Sequence, residues 1–371
     1  MTIAEQPLLT MEHPFVKTIN CQGPPYEIGF THGSNASNEI HTNIKTYTLF
    51  FAESAKITWP EARDRALSQF LPTLEKLYPQ ILEELKGIAD GAGGGLVMAD
   101  ILALNIRSEI ALTNYTDGCT SIGQKSPSSG AIYLAQNWDW LEELKNGMVF
   151  LHIKPEGSDV EMRFLSEAGI VGKIGLNSYG VGLCMNALRS GASSTEKLPV
   201  HFMSRKILQE AHTYEEALLL LEKFGLASTV NYMIADKSGR YGDIECSPLG
   251  NTITNPDLGY VAHTNHLCGV GLPPKLQDHP SANSFARLNR MMELTELDIK
   301  AHVAPSFESL RARLSDEQGA PYSICRDRPP GAVGMERMTT LSTVIMELTS
   351  KTAKVTVGRP CDDLPVIEWS F

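Results

Sequence analysis

Gly118-Cys119-Thr120-Ser121 lies about a third of the way along a chain of 371 residues. A cysteine directly after a glycine, opening a β-hairpin pattern, is where a self-cleaving precursor would expose a new N-terminal thiol. A free thiol has a pKa of about 8.5 and an α-amino group one of about 7.7–8.0. An N-terminal cysteine therefore carries a partly unprotonated amine beside a good nucleophile, and no histidine is needed to activate it. The thiol could attack the Gly118 carbonyl in an N-to-S acyl shift, and water would hydrolyse the thioester. Glycine suits the preceding position because it allows close approach and strained backbone angles. Asp117-Gly118 is also a common turn dipeptide.

The pattern of the chain changes at this point. Upstream, helix signals dominate: Pro25 to Phe51 carries apolar residues at helical spacings, and Trp59-Pro60 sets a proline at a helix start. Ala66, Phe70, Leu71, Leu74 and Leu77 follow on one face. Ile81, Leu82, Leu85, Ile88 and Ala89 form a second stripe, closed by Gly91 to Gly95, and Leu96 to Leu112 reads as a further helix. Downstream the period becomes two. Thr120 to Gln124 and Ala131 to Asn137 read as paired strands, followed by strands at Met148 to Ile153, Glu161 to Leu165, Val171 to Leu176 and Gly180 to Met185. Helices are expected at His201 to Ala211 and at Thr213 to Phe224, where Thr213 and Glu216 make a capping-box pattern. Strands return at Thr229 to Ala235, Tyr241 to Cys246 and Tyr260 to His263. A helix covers Ser284 to Leu297, and strands close the chain at Thr340 to Glu347 and Ala353 to Val357. Strand blocks flanked by helix blocks predict stacked layers of sheet and helix in an α+β fold.

Composition narrows the function classes. The net charge of −11 argues against a nucleic-acid partner, which needs clustered Lys and Arg. No apolar run approaches a membrane span. The N-terminal residues lack the pattern of a secretory signal, and Glu368-Trp369-Ser370-Phe371 is not a peroxisomal tripeptide, so the expected location is cytoplasmic. Seven scattered cysteines without Cys-x-x-Cys pairs argue against a disulfide framework and against a zinc site.

Two further stretches accompany Cys119. Gln136-Asn137-Trp138-Asp139 ends the strand expected to pair with the cysteine strand, so Asp139 could hold or orient the freed amine; a strand-end turn residue is the other account. His263-Thr264-Asn265-His266 follows an apolar strand. Asn265 could offer its side-chain NH2 to a tetrahedral oxyanion, or simply cap a turn. The flanking histidines make a weak i,i+3 metal pattern. They also leave open an unprocessed thiol hydrolase that borrows His263 or His266 as base. A catalytically silent binding protein is a third possibility.

With these motifs in order along most of its length, the sequence resembles the acyl-coenzyme A:isopenicillin N (6-aminopenicillanic acid) acyltransferases of the N-terminal-nucleophile hydrolase superfamily. The resemblance runs through Cys21-Gln22-Gly23-Pro24-Pro25-Tyr26-Glu27-Ile28-Gly29, Leu104-Asn105-Ile106-Arg107-Ser108-Glu109, Asp117 to Thr120 and Gln136 to Asp139. It continues through Glu167 to Lys173, His263 to His266, Ser284 to Arg290, Tyr322 to Arg326 and Leu341 to Met346. It implies a single four-layer αββα sandwich over residues 1–371, cut between Gly118 and Cys119 into a mainly helical fragment, 1–118, and a fragment 119–371 that stay together as a heterodimer. It implies Cys119 as nucleophile, Asp139 near the liberated amine and Asn265 in the oxyanion hole. Arg287, Ser323 and Arg326 are implied in substrate binding. The implied reaction moves an acyl group from an acyl-CoA thioester, or an amide, through S-acyl-Cys119 to an amine, as in secondary metabolism. An amidohydrolase of the same fold, cleaving N-acyl amides, is the alternative. No cofactor or metal is expected; CoA enters only as part of a substrate.

Overall fold

The computed structural model describes residues 16–111 and 118–371. Within them fourteen strands form two sheets. The first has eight strands in the order β1 (Lys17–Gly23), β4 (Met148–Pro155), β5 (Met162–Glu167), β6 (Ile174–Asn177), β7 (Val181–Ala187), β8 (Val230–Asp236), β9 (Tyr241–Ser247) and β10 (Gly250–Thr254). All its pairs are antiparallel except β1 with β4. The second has six antiparallel strands in the order β11 (Tyr260–His263), β2 (Gly118–Lys125), β3 (Ile132–Leu141), β12 (Met338–Glu347), β13 (Thr352–Val357) and β14 (Val366–Ser370).

Helices cover both outer faces. On the first sheet lie α1 (Pro25–Asn35), α2 (Ser37–Ser54), α8 (Val200–Glu210) and α9 (Tyr214–Phe224). Behind or beside them are α3 (Trp59–Arg65), α4 (Leu71–Leu77), α5 (Gln80–Ala92), α6 (Met98–Asn105) and α7 (Arg107–Ala111). On the second sheet lie α10 (Ala282–Lys300) and α11 (Phe307–Leu314). The sheets pack face to face through β2 and β3 against β7 and β8, giving the expected αββα layers. With both faces covered, β3 is buried along all its residues, which explains a strand that does not alternate in hydrophobicity. No helix among the described residues is long and apolar enough to cross a membrane.

Side-chain alternation on β2 fixes what each residue faces. Ser121 Oγ donates to Asn186 Oδ1 on β7, and Gly123 lies against Met233 and Tyr241, so this face looks into the space between the sheets. Thr120, Ile122 and Gln124 look the other way: Thr120 meets Arg287 on α10, Gln124 meets Arg313 on α11, and Ile122 joins an apolar cluster with Met291 and Leu310. Cys119 shares the inter-sheet face with Ser121.

Several boundaries differ from the pattern-based expectations, for local reasons. The stretch Pro25 to Phe51 is two helices, broken at Ala36. Leu96 to Leu112 is likewise two, interrupted at Ile106, next to Asn105, whose side chain holds Gly169 O and the Val171 amide; Leu112 itself lies outside the described residues. The Thr213 hydroxyl caps α9 as expected, accepting from the Glu216 amide, but the Glu216 carboxylate takes the His212 amide instead of the cap's own. Strands β1, β10 and β14 and helix α11 carry too little periodicity to stand out.

Gly91 does not end its helix; α5 runs on to Ala92 and stops at Gly93, whose φ is +64°. The reason is packing between α1 and α5. A Cβ on Gly29 would fall 2.0 Å from Glu84 O, on Gly33 2.2 Å from Ile88 O, on Gly87 2.2 Å from Tyr26 O and on Gly91 2.4 Å from Phe30 O. These backbones touch directly, so each glycine is needed for space. Gly29→Ala or Gly87→Ala should force the helices apart and lower unfolding stability by about 1–3 kcal/mol, read from the denaturant midpoint at unchanged m.

Candidate active site

Strand β2 starts at Gly118, directly paired with Asp139 on β3, and Cys119 pairs with Trp138. Asp139 is thus not at a strand end, as its sequence context suggested, but inside β3, which runs on to Leu141. Cys119 is 1% exposed. Its backbone N–H donates to Asn265 Oδ1 at 2.8 Å, and its carbonyl accepts from Arg287 Nη1. Arg287 Nη2 also donates to Asn265 Oδ1, at 2.8 Å, and Nη1 to Thr120 Oγ1, at 3.0 Å. Asn265 Nδ2 donates to Ala187 O at 3.0 Å. In this arrangement the asparagine turns its oxygen to the cysteine nitrogen, and one of its two amide hydrogens is held by the end of β7.

On the helix-facing side, Asp139 and Arg326 converge on Gly118. A Cβ at position 118 would lie 2.9 Å from Asp139 Oδ2 and 2.9 Å from Arg326 Nη1, so any larger residue would have to displace these two side chains. Asp139 Oδ1 accepts from Thr340 Oγ1 at 2.7 Å, while the buried Oδ2 has no hydrogen-bond partner among the described residues. Burial pushes the Asp139 carboxyl up from its ordinary value, and Arg287 and Arg326 pull part of the way back. The Thr340 hydroxyl also accepts from the Arg326 amide at 2.9 Å, and the Arg326 guanidinium stands over the Tyr322 ring.

The structure therefore joins Cys119, Asn265 and Arg287 through direct hydrogen bonds and sets Asp139 and Arg326 around Gly118. Ser323 stands apart: its hydroxyl donates to Cys325 O at 2.6 Å, and with Arg287, Asn283 and Tyr322 it lines an outer pocket of about 300 Å³. On the inter-sheet face a cleft is lined by Trp138, Lys173, Arg107, Met185, Ala187 and Thr229. Lys173 lies over the Trp138 ring and is paired at 2.6 Å with Glu167, which also binds Arg107.

The flanking histidines serve other ends. His263 gives Nδ1 to Thr264 O and Nε2 to Glu245 Oε1, each at 2.9 Å. His266 Nδ1 meets Ser284 Oγ at 2.8 Å, and burial brings this imidazole down to about 4. Glu245 is the residue that sequence reasoning missed. Besides His263, its carboxylate accepts the backbone amides of Cys268 and Gly269, pinning both ends of the turn that carries Asn265. Nothing in the local pattern of β9 distinguishes it. Glu245, His263 and Cys268 each bring one ligand atom within 4.8 Å of the others, the set among the described residues that could hold a metal. Those hydrogen bonds already satisfy the carboxylate as an ion pair.

Burial alone would lower the His263 imidazole, but Asp243 and Glu245 outweigh it and hold it well above its ordinary value. A raised histidine contributes stability fully below its unfolded pKa of about 6.5, and loses it as pH rises through the folded value. Burial pushes Glu245 up, yet His263 and the two amides bring it below its ordinary value, so its share is lost only in acid. The stability gap between wild type and Glu245→Gln should accordingly be largest between about pH 5 and 6.5 and shrink at higher pH. Urea unfolding from about pH 5 to well above 6.5 checks it; a gap that grows over the upper part of that span would refute the ion pair.

The geometry can be set beside known proteins. The family model for acyl-coenzyme A:6-aminopenicillanic acid acyl-transferase matches residues 126–362, a span that holds Asp139, Asn265, Arg287, Ser323 and Arg326 and begins just beyond Cys119. The 40 kDa form of acyl-coenzyme A:6-aminopenicillanic-acid-acyltransferase from Emericella nidulans is 31% identical over 350 residues, covering 92% of both chains. The beta-alanyl-dopamine/carcinine hydrolase of Drosophila melanogaster is 23% identical over 386 residues, 94% of this chain and 95% of the other. Among solved structures, a variant of the conjugated bile acid hydrolase from Clostridium perfringens aligns with a TM-score of 0.47 at 12% identity, over 68% of this chain and 97% of its own. By sequence over nearly its whole length, the chain belongs to the acyl-coenzyme A:6-aminopenicillanic acid acyltransferase family, a member of an enzyme class that transfers acyl groups or hydrolyses amides.

Proposed function

We propose that the chain cleaves itself between Gly118 and Cys119 and then uses Cys119 to transfer an acyl group from a CoA thioester to an amine. The observation that carries this reading is the pair of bonds on Cys119: its amide nitrogen on Asn265 Oδ1 and its carbonyl on Arg287. Groups that hold the backbone of a cysteine at the head of a strand suit a residue whose nitrogen becomes a free amine.

In the first stage the Cys119 sulfur attacks the Gly118 carbonyl carbon. A C–S bond forms, the C–N bond breaks, and the thiol proton ends on the departing nitrogen. Water then hydrolyses the thioester to a Gly118 carboxylate and a free thiol. Asp139, pushed towards its protonated form by burial, and Arg326 lie against Gly118, whose carbonyl is attacked. In the second stage the freed amine takes the thiol proton while sulfur attacks the thioester carbonyl of the donor. The oxyanion is met by the remaining Asn265 amide hydrogen and a backbone N–H. CoA leaves as the thiol, and an amine acceptor resolves S-acyl-Cys119 to an amide. Donor and acceptor would meet in the inter-sheet cleft, whose wall includes Trp138, the cross-strand partner of Cys119. The fragments 1–118 and 119–371 would remain associated, since α1 and α2 pack on strands of the larger piece.

The similarity to the Drosophila hydrolase favours a second reading, in which water resolves the acyl-enzyme and the substrate is an N-acyl amide. The two differ only in the acceptor, and water exclusion from the cleft decides between them.

Denaturing electrophoresis of the purified protein should give bands of about 13 and 28 kDa, from 118 and 253 of 371 residues in a 40.7 kDa chain. Cys119→Ala should leave one band at full mass. A wild-type chain that remains intact yet active would sink the mechanism. Mass spectrometry after exposure to an acyl-CoA should find the adduct on the 28 kDa fragment, and adding amine or water alone then separates transferase from hydrolase. Asn265→Ala should slow acylation of processed enzyme by about 10²–10³-fold, measured as CoA release, if its amide serves the oxyanion.

A further inference from the structure

Two cysteines outside the chemistry above lie against each other. Cys325, in the loop between α11 and β12, and Cys361, in the connection from β13 to β14, are 36 positions apart in sequence with their sulfurs 2.7 Å apart. Non-bonded heavy atoms rest at about 3.5–4.0 Å, so this pair is already inside ordinary contact. Cys325 is buried and Cys361 partly exposed, which gives one inner thiol and one that a solution reagent can reach.

The surroundings hold the two segments in place. The Cys325 amide donates to Asp316 O at 2.9 Å, and Pro360 O, next to Cys361, accepts from Arg311 on α11. Arg359 pairs with Asp327 and Glu317, bridging the same two segments by charge. Burial pushes the Cys325 thiol up, and its hydrogen bonds with Cys361 and the Arg359 guanidinium pull part of the way back; burial and the neighbouring Cys325 push the Cys361 thiol up as well, so the exchange runs faster as pH rises. The two sulfurs need only close from 2.7 Å to the bonded distance of about 2.0 Å.

We propose that Cys325 and Cys361 are an oxidative cross-linking site, forming a reversible disulfide with a small-molecule disulfide such as oxidised glutathione. The Cys361 thiolate attacks one glutathione sulfur, forming a mixed disulfide and releasing one glutathione thiolate. The Cys325 thiolate then attacks Cys361 Sγ, closing the protein disulfide and releasing the second glutathione. Two protein thiols are oxidised, one glutathione disulfide is reduced to two thiols, and the two protons pass to the released thiolates. The bond would tie the loop carrying Ser323 and Arg326, and with it the guanidinium beside Gly118, to the edge of the second sheet. This inference does not depend on self-cleavage or on the identity of the acyl acceptor.

The test uses the full purified chain, reduced with dithiothreitol and then equilibrated with excess oxidised glutathione, quenched with N-ethylmaleimide under denaturing conditions and mapped by mass spectrometry. A Cys325–Cys361 linked peptide is expected, lost again on reduction, while exposed Cys268 takes glutathione alone and reports that the reagent is active. The oxidised wild type should melt about 5 °C above the reduced form, the scale for closing a loop of this length in a domain of this size. That shift should be absent in Cys361→Ser and in Cys325→Ser. Hydrogen exchange in residues 321–327 should slow several-fold on oxidation. The proposal is overturned if both cysteines are still alkylated in the treated wild type, if Cys361 stops as a glutathione adduct, or if either serine variant shows the same melting shift.

Discussion

The register of β2 is the constraint on which the rest of the centre depends. Side chains on a strand alternate between faces, so a slip of one residue would carry Cys119 from the inter-sheet space to the helix side and bring Gly118 or Thr120 in its place. The register is pinned at both ends. Lys125 pairs with Ile132 at the hairpin, and Gly118 pairs with Asp139 where the strand begins. Between them, Ser121 on Asn186 and Gln124 on Arg313 would each lose a buried partner if the strand moved. Losing such a bond costs the desolvation of the group left behind, about 1–3 kcal/mol each, so the alternatives are well separated.

Against this fixed strand, Arg287 acts as a shared clamp. One guanidinium holds the Cys119 carbonyl, the Thr120 hydroxyl and the Asn265 oxygen. It links three chain segments that are far apart in sequence: the head of β2, the turn after β11 and α10. Arginine suits this position because its fork of donors is planar and always charged. A lysine would supply charge without the geometry. The turn carrying Asn265 is secured a second time by Glu245, which spends its carboxylate on an imidazolium and two backbone amides. The asparagine is therefore oriented from two sides before any substrate arrives.

What the sequence disclosed followed from how local each signal is. The β2–β3 hairpin, the cap of α9 and the change of period near residue 118 are local patterns, and they were legible. Asp139 was placed beside the cysteine strand because hairpin pairing is nearly determined by the turn. Its position inside β3 was not legible, since a strand buried on both faces gives no alternation to mark its end. The layered order of sheets could be anticipated in outline, whereas strand β1, which pairs in parallel with a strand 125 or more residues later in sequence, could not. The contacts of Ala187, through a backbone carbonyl, and of Glu245 and Thr340, at ordinary strand positions, leave no trace in composition or spacing. Gly91 misled for a related reason: glycine usually stops a helix, but here close approach of two backbones outweighs its low propensity.

The two faces of β2 also explain how one short stretch could serve two reactions. Gly118 belongs to the helix side, where Asp139, held by Thr340, and Arg326 lie close against it. Cys119 belongs to the inter-sheet side, where the cleft opens next to its cross-strand neighbour Trp138. The bond between them crosses from one environment to the other. In the proposed cleavage, the carbonyl that is attacked and the sulfur that attacks are consecutive in the chain yet supported by different layers. Severing that bond would leave a new carboxylate beside the buried Asp139, and two carboxylates this close resist joint ionisation. The departing Gly118 end would thus be disfavoured where it was made. The new amine, by contrast, would stay on Asn265 Oδ1, whose bond to the nitrogen needs no rearrangement. Cleavage would in this way loosen one side of the strand while leaving the nucleophile held on the other.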